Sequence, residues 1–388
     1  MNDFITYGRV GGDVKAFIGE VHRKALAFDP RARLVAGAFS IVPEFHTLTA
    51  DTYNIPSDRR YDDYKERAEK ESKRKDPIDF VIICTPNSLH YEVAKAFLEK
   101  GIHVVCEKPL CFTAKEGEEL VRLAREKNLL FAVNYGYTGY PLIKVAKERI
   151  AKGKLGHLLS ASVSYLQDWL LKAADPETSE EEKNKIWRLD PKKSGSSCCI
   201  GDIGTHGENL LHYLLGKKVD QVFCDYDTFG QRLDLAANVL LKYKDNRKAR
   251  ITCSQVALGH LNDIVVSVYG TKGAIEWHQQ NPDHLLFTAK DEPTMDICRG
   301  TEFSKQYEAG NFSRLPSGHP EGLYEAFANN YQTIVTNLLK RKRKEALTDR
   351  DEDYPHGEEG LEGIYFINAC LKSKEVSGWV GMNDSKIK

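Results

Sequence analysis

The stretch "CCIGDIGTHGENLLHYLLG" (198–216) places Asp202 and His206 four residues apart, so on a helix they share one face. A histidine can take up or return a proton near neutral pH, and a neighbouring carboxylate can orient it. His206 also opens an apolar stripe through Leu210 and Leu214, the ordinary setting of a hydrogen-bonded core histidine. Gly201, Gly204 and Gly207 add weight to the catalytic reading, because they leave room for a ligand near the backbone. No second His or Cys stands at ligand spacing, so the segment does not read as a metal site, and no nucleophile elbow appears anywhere.

A second group sits where hydrophobic runs end. "HVVCEKPLCFT" (103–113) begins as a buried strand and then sets Glu107, Lys108 and Pro109 at its end. An ammonium delivered there could meet a substrate hydroxyl; the bland alternative is a strand that has simply surfaced. "CTPNSLHYE" (84–92) closes the preceding strand with Pro86 and Asn87. Earlier, "YGRVGGDVKAFIGEVH" (7–22) has a glycine-rich turn opening a helix, where backbone N–H groups could approach a pyrophosphate. Its spacing, Gly8, Gly11, Gly12 and Gly19, is not G-x-G-x-x-G, so a plain tight turn is an equal reading. Asp13 is awkward beside a phosphate, Lys15 could offset it, and Arg9 interrupts a strand that should be buried.

The elements that must position these residues alternate through the first third of the chain. Strands are expected at Ile5 to Val10, 33–40, 79–86, from 103, and 129–135, with helices at Ala16 to Phe28, 88–101 and 113–128. Strands apolar on both faces and separated by helices mean a doubly wound parallel sheet, whose ligands bind at the C-terminal strand ends. From about residue 138 the pattern becomes long, alternating strands with short links, at 158–170, 221–230, 236–245, 248–258 and 264–270. These predict an α+β domain on an open, mostly antiparallel sheet. The expected organisation is therefore a dinucleotide-binding domain over 1–137 and a substrate-binding and oligomerisation domain over 138–388, whose last helix could return to the first domain.

The 388 residues carry a net charge of −1, which gives no electrostatic reason to expect nucleic acid or an anionic membrane. The charged run Asp58 to Asp76 alternates in sign and reads as one solvated helix. No run approaches the roughly 20 apolar residues of a membrane span, and "MNDFITYGRV" has no apolar signal core. Nine cysteines without a CxxC pair fit small buried hydrophobes in a reducing, cytoplasmic setting.

Taken together, the glycine-rich first turn, "TPN", "EKP" and "GDIGTH" ahead of an antiparallel domain resemble the Gfo/Idh/MocA oxidoreductases across essentially the whole chain. The strings "AFIGEVHR", "WRLDP" and "GHPEG" look most like the branch of levoglucosan dehydrogenase and related sugar dehydrogenases. The resemblance implies a Rossmann fold and hydride transfer between nicotinamide and a hydroxyl-bearing carbon of a sugar or cyclitol. Lys108 would hydrogen-bond the reacting oxygen, His206 would exchange its proton, and Asp202 would orient His206 and substrate. The implied cofactor set is Gly11, Gly12, Phe17, Ile18, Ser40, Thr85, Pro86, Asn87, His90, Glu107, Lys108, Asn134, Trp187 and Arg188. Tyr137, Gln167 and His319 join Lys108, Asp202 and His206 as the substrate set, with no metal. Ser40, at the end of the second strand, offers neither a ribose carboxylate nor an arginine for a 2′-phosphate. The cofactor expectation is NAD, with NADP as the alternative.

Two other readings compete with a dehydrogenase. One is an enzyme that oxidises a glycoside transiently on bound NAD, eliminates, and re-reduces it. The other is a nucleotide-binding sensor without turnover, against which the joint presence of Lys108, Asp202 and His206 argues. Apolar side chains spread over the second sheet, Tyr165, Trp169, Val222, Phe223, Tyr226 and Phe229, predict a homodimer or homotetramer joined through that domain.

Overall fold

The protein is described by a computed structural model covering residues 4–384. It forms two compact units, the first comprising residues up to Gly139 with Leu323–Leu361, the second Tyr140–Gly322 with the residues from Glu362 onward.

The first unit holds a five-stranded sheet with β1 (Ile5–Gly11), β2 (Ala32–Ala38), β3 (Phe80–Cys84), β4 (His103–Cys106) and β5 (Phe131–Val133). The order is β2-β1-β3-β4-β5 with every pairing parallel. Strand order reverses between β1 and β3, which makes the C-terminal ends of these two strands the ligand crevice of such a sheet. Between the strands run α1 (Phe17–Ala27), α2 (Pro43–Thr52), α3 (Tyr64–Ser72), α4 (His90–Glu99) and α5 (Ala114–Glu126). All five residues of β3, "FVIIC", are buried, as a strand covered on both faces requires. The loop after β4 is closed by a capping box at the start of α5: Thr113 N–H donates to Glu116 at 2.9 Å and Glu116 N–H to the Thr113 hydroxyl at 3.2 Å.

The structure assigns a later helix to this unit. Phe327, Tyr331, Ile334 and Leu338 lie at helical spacing on Leu323–Arg343 and are buried in the same core as Tyr7, Val21, Phe80 and Ile82. The sequence division at residue 137 numbers this helix with the second domain, where it would cover the sheet edges or return to the first domain. An apolar stripe identifies a buried face but not the surface that buries it.

The run Asp58 to Asp76 is also not one solvated helix. It forms a short turn at Ser57–Arg59 and then α3, and Arg59, Arg67 and Glu71 are buried. Arg59 donates to both carboxylate oxygens of Glu71, at 3.0 and 2.5 Å, and Tyr61 Oη donates to Glu71 at 2.8 Å. Charges are buried here because each finds an opposite charge or a carbonyl.

The second unit begins with α6 (Pro141–Ala151) and is built on a nine-stranded sheet. Its strands are β6 (Leu158–Leu166), β7 (Gln221–Asp227), β8 (Ala236–Lys242), β9 (Lys248–Ser254), β10 (Asp263–Gly270), β11 (Gly273–His278), β12 (His284–Ala289), β13 (Thr294–Cys298) and β14 (Val380–Gly381). The order is β13-β12-β11-β10-β6-β9-β8-β7-β14, antiparallel except for the parallel pair β6–β9. Strict alternation in β8 and β9 sends Val239, Leu241, Ala249 and Ile251 to a packed face and leaves Leu240 and Arg250 outside. The helix α7 (Thr205–Leu215) packs on β6 and α6. Tyr165 and Val222, counted above among side chains for an interface, are buried on the packed face at 4% and 0% exposure. Trp169 and Phe229 are about half exposed, at 48% and 49%.

Among the described residues all nine cysteines are free thiols, and no helix is long and apolar enough to cross a membrane.

Candidate active site

In the first unit the expected cofactor residues gather at the C-terminal strand ends. β1 runs out through Gly11 and Gly12, whose φ values of 75° and 68° suit glycine alone. A Cβ on Gly11 would lie 2.7 Å from the Cys84 carbonyl oxygen, and one on Gly12 would lie 2.8 Å from Gly19 Cα. The turn and the first turn of α1 therefore touch backbone to backbone, with Gly19 allowing the close helix–strand approach of a dinucleotide turn. Gly8 serves another purpose: a Cβ there would lie 1.7 Å from Arg67 Nη2. The Asp13 carboxylate turns back to accept from Lys15 N–H at 3.0 Å, and Lys15 Nζ sits 3.8 Å over the Phe45 ring. Phe17 is 71% exposed, Ile18 packs partly into the core, and the Ser40 hydroxyl accepts from Val42 N–H at 3.3 Å.

Beyond β3, Asn87 is buried and the buried Thr85 hydroxyl has no hydrogen-bond partner. His90 is a bridge between strand ends: its Nδ1 lies 2.7 Å from the Pro109 carbonyl oxygen and its Nε2 3.0 Å from that of Thr85. Beyond β4, Glu107 turns inward while Lys108 is half-buried. The Glu107 Oε1 accepts from His22 Nε2 at 2.8 Å and from Asn134 Nδ2 at 2.5 Å, and His22 Nδ1 meets Tyr331 Oη at 2.5 Å. Burial opposes charge on His22, but Cys84 and Glu107 outweigh it and raise its pKa to about 9. Burial likewise opposes charge on Glu107, and the His22 contact outweighs it and lowers its pKa. Glu107 and Asn134 thus anchor the turn that presents Lys108. The glycine cradle, the free first turn of α1 and the unpartnered Thr85 hydroxyl fit a dinucleotide.

In the second unit Asp202 and His206 are both buried, each at 8% exposure. They lie where a π-helical turn, Ile200–Gly204, passes into α7. Such wide turns recur at functional sites. Asp234 fixes the start of this segment, accepting from Cys198 N–H at 2.9 Å and Ile200 N–H at 2.7 Å. Gly207 lets α7 lie on the sheet, since a Cβ would come within 3.2 Å of Ile251 and Val163. Arg188 pairs with Asp202 Oδ1 at 3.0 Å, and Gln255 Nε2 donates to Oδ2 at 2.8 Å. Gln167 Nε2 and Tyr165 Oη both donate to Asn262 Oδ1, at 2.6 and 2.8 Å, and Tyr165 stands 6.1 Å from the His206 ring. Trp187, 40% exposed, stacks beside Arg188 with its ring 4.3 Å from the guanidinium carbon.

The structure thus brings Asp202, His206, Arg188 and Gln167 into one cluster and adds Tyr165, Gln255 and Asn262, which the motif search missed. Gln255 was findable: it continues the inward parity of Ile251 and Cys253, and a buried amide needs partners. His319 is not drawn into this cluster. It lies in an exposed loop and is held there by its backbone, with its N–H donating to the Pro316 carbonyl and its carbonyl accepting from Arg299. Tyr137, in the turn Gly136–Gly139 of the first unit, is buried. No cluster of metal-ligating side chains occurs among the described residues.

Comparison with known proteins identifies both domains. Residues 8–135 match an oxidoreductase family model with an NAD-binding Rossmann fold, and residues 143–276 match the GFO/IDH/MocA C-terminal domain. An uncharacterized oxidoreductase of Bacillus subtilis, YfiI, is 31% identical over 97% of this chain and 96% of its own. Levoglucosan dehydrogenase of Pseudarthrobacter phenanthrenivorans is 28% identical over 72% of this chain and 75% of its own. The crystal structure of an inositol dehydrogenase homolog from Azotobacter vinelandii, complexed with NAD+, superposes with a TM-score of 0.89. It is 31% identical and covers 98% of this chain and 97% of its own. With both domain models matched in order and full-length relatives in sequence and in structure, the chain belongs to the Gfo/Idh/MocA family of oxidoreductases, and its first domain is an NAD-binding Rossmann domain.

Proposed function

We propose that the protein is a dehydrogenase acting on a hydroxyl-bearing carbon of a sugar or cyclitol, with NAD preferred to NADP. The observation that carries the catalytic assignment is the state of Asp202. Both its oxygens are already engaged, one by Arg188 and one by Gln255. A carboxylate so committed positions groups but is poorly placed to take a proton, which leaves His206 as the base on that turn. Lys108, at the end of β4, donates a hydrogen bond to the reacting oxygen and stabilises it as negative charge develops. His206 accepts the hydroxyl proton, and the C–H electron pair leaves as hydride. Bound NAD supplies the acceptor for that hydride. Gln167 and Tyr165, fixed through Asn262, offer polar edges suited to a polyol. The preference for NAD rests on Ser40, which adds no positive charge for a 2′-phosphate.

The relatives described above, a levoglucosan dehydrogenase and an inositol dehydrogenase homolog, support the substrate class. The experiment is a panel of inositols, aldoses and anhydrosugars offered with NAD and with NADP, following absorbance of the reduced nicotinamide. At least one polyol should give steady turnover, faster with NAD. Binding of NADH without turnover of any polyol would refute a dehydrogenase in favour of a nucleotide-binding protein.

A further inference from the structure

Arg9 lies in the middle of a buried strand, directly behind the cofactor turn, and is 0% exposed. Its Nη1 donates to the Gly19 carbonyl at 2.7 Å. Its Nε lies 3.4 Å from where a Cβ on Gly12 would stand, so the guanidinium is wedged under the contact between the turn and α1. The Phe39 and Tyr53 rings each lie 5.1 Å from its central carbon. Nε and Nη2 have no hydrogen-bond partner, and among the described residues no carboxylate pairs with this charge. The neighbouring acid Glu20 is taken by Arg23, at 2.6 Å.

A desolvated cation with two orphaned donors and no counter-charge is costly, and aromatic faces offset only part of that cost. In the free protein it gains one hydrogen bond, to the Gly19 carbonyl, and two aromatic faces, which leave the charge itself without a counter-ion. It gains one when an anion arrives at Gly11 and Gly12. We propose that Arg9 is the buried counter-charge of the dinucleotide pyrophosphate, acting through the turn by its field rather than by direct contact. This goes beyond the cofactor residues recognised from the motif, none of which places a cation at the turn, and the nearby Lys15 is stacked on Phe45. It is independent of the substrate assignment.

The test is NADH affinity, by calorimetric titration, together with thermal unfolding with and without NADH, in wild type, Arg9→Met and Arg9→Lys. Loss of a charge pair acting through the turn in a protein-like dielectric implies roughly a tenfold loss of affinity in Arg9→Met. Free Arg9→Met should unfold at the wild-type temperature or above it, because an unpaired buried charge is gone, while the upward shift caused by NADH shrinks. Arg9→Lys, which keeps the charge but not the fork, should bind within about threefold of wild type on the same reasoning. The proposal is overturned if Arg9→Met binds NADH normally, if it fails to fold or unfolds well below wild type, or if the Lys and Met variants lose affinity equally. The last two results would make Arg9 a packing residue.

Discussion

Replacing His22 by glutamine should expose how the turn carrying Lys108 is held. In the native protein His22 is fully enclosed, with Nε2 2.8 Å from Glu107 and Nδ1 2.5 Å from Tyr331. Its pKa of about 9 stands above the 6.5 of an exposed histidine. A group with a raised folded pKa contributes stability fully below its unfolded value and loses it as pH rises through the folded one. The His22 contribution should therefore be complete below pH 6.5 and fade as pH climbs past about 9. The gap between the two values corresponds to about 3 kcal/mol. Glu107 shows the opposite sense: its depressed pKa makes its contribution present above the ordinary carboxylate range and lost in acid. Thermal unfolding of wild type, His22→Gln, Glu107→Gln and the double variant at pH 6, 8 and 10 closes a double-mutant cycle. At pH 6 each single change should cost roughly 3–5 kcal/mol, because it strands a buried partner. The double variant should cost less than the sum. Between pH 6 and 10 the gap between wild type and His22→Gln should narrow by on the order of 10 °C, at a few degrees per kcal/mol for a domain of this size. A gap that does not change with pH would refute the ion pair and leave a neutral hydrogen bond in its place.

Three further outcomes are expected. Lys108→Ala should lower kcat by roughly 10²-fold, as loss of an oxyanion donor does, with the unfolding temperature little changed; near-native turnover would remove Lys108 from the reaction. With the active substrate, kcat/KM for oxidation should rise with pH through a histidine-range ionisation, and His206→Asn should abolish that limb; a profile that survives the substitution places the base elsewhere. The open face of the nine-stranded sheet exposes Leu240, Tyr269 and Leu286 at 49%, 42% and 37%. Light scattering on a sizing column should therefore give two or four times the chain mass of 43.9 kDa, falling in Tyr269→Glu, whereas a monomer at micromolar concentration would refute the assembly.

The parallel sheet was legible because burial on both faces leaves an unbroken apolar run, as in "FVIIC", and few other structures produce one. The open sheet was legible from alternation over β6 to β10. The strands β11 to β13 escaped notice: β13, "TMDIC", is an edge strand with a single buried residue, Ile297, while β11 and β12 are interior strands of six residues whose alternation is short. The charged segment 58–76 failed for a different reason. Alternating sign along a sequence is the same whether charges face water or one another. Arg59 reaches Glu71 twelve residues away only because the turn at 57–59 folds the chain back.

The site follows the same division between local pattern and distant partner. The spacing of Asp202 and His206 and the delivery of Lys108 by a strand end are properties of short segments, and both were readable. What gives these groups their roles comes from elsewhere in the chain. Arg188 and Gln255 occupy the oxygens of Asp202 from fourteen and fifty-three residues away, and so decide that it positions rather than accepts a proton. Glu107 read as an acid that holds the loop or contacts the cofactor, and its partners His22 and Asn134, which draw it inward behind Lys108, could not be named from the segment itself. Arg9 read as a flaw in a strand, and nothing within β1 could show that a glycine turn and two aromatic rings enclose it. In each case the informative signal was a polar residue at a position whose parity or neighbours demanded an apolar one. Burying such a group costs free energy unless a partner is waiting. A charge at an inward position of a strand or helix therefore marks a contact that the fold must supply, and in this chain those contacts lie behind the cofactor turn, the Lys108 turn and Asp202.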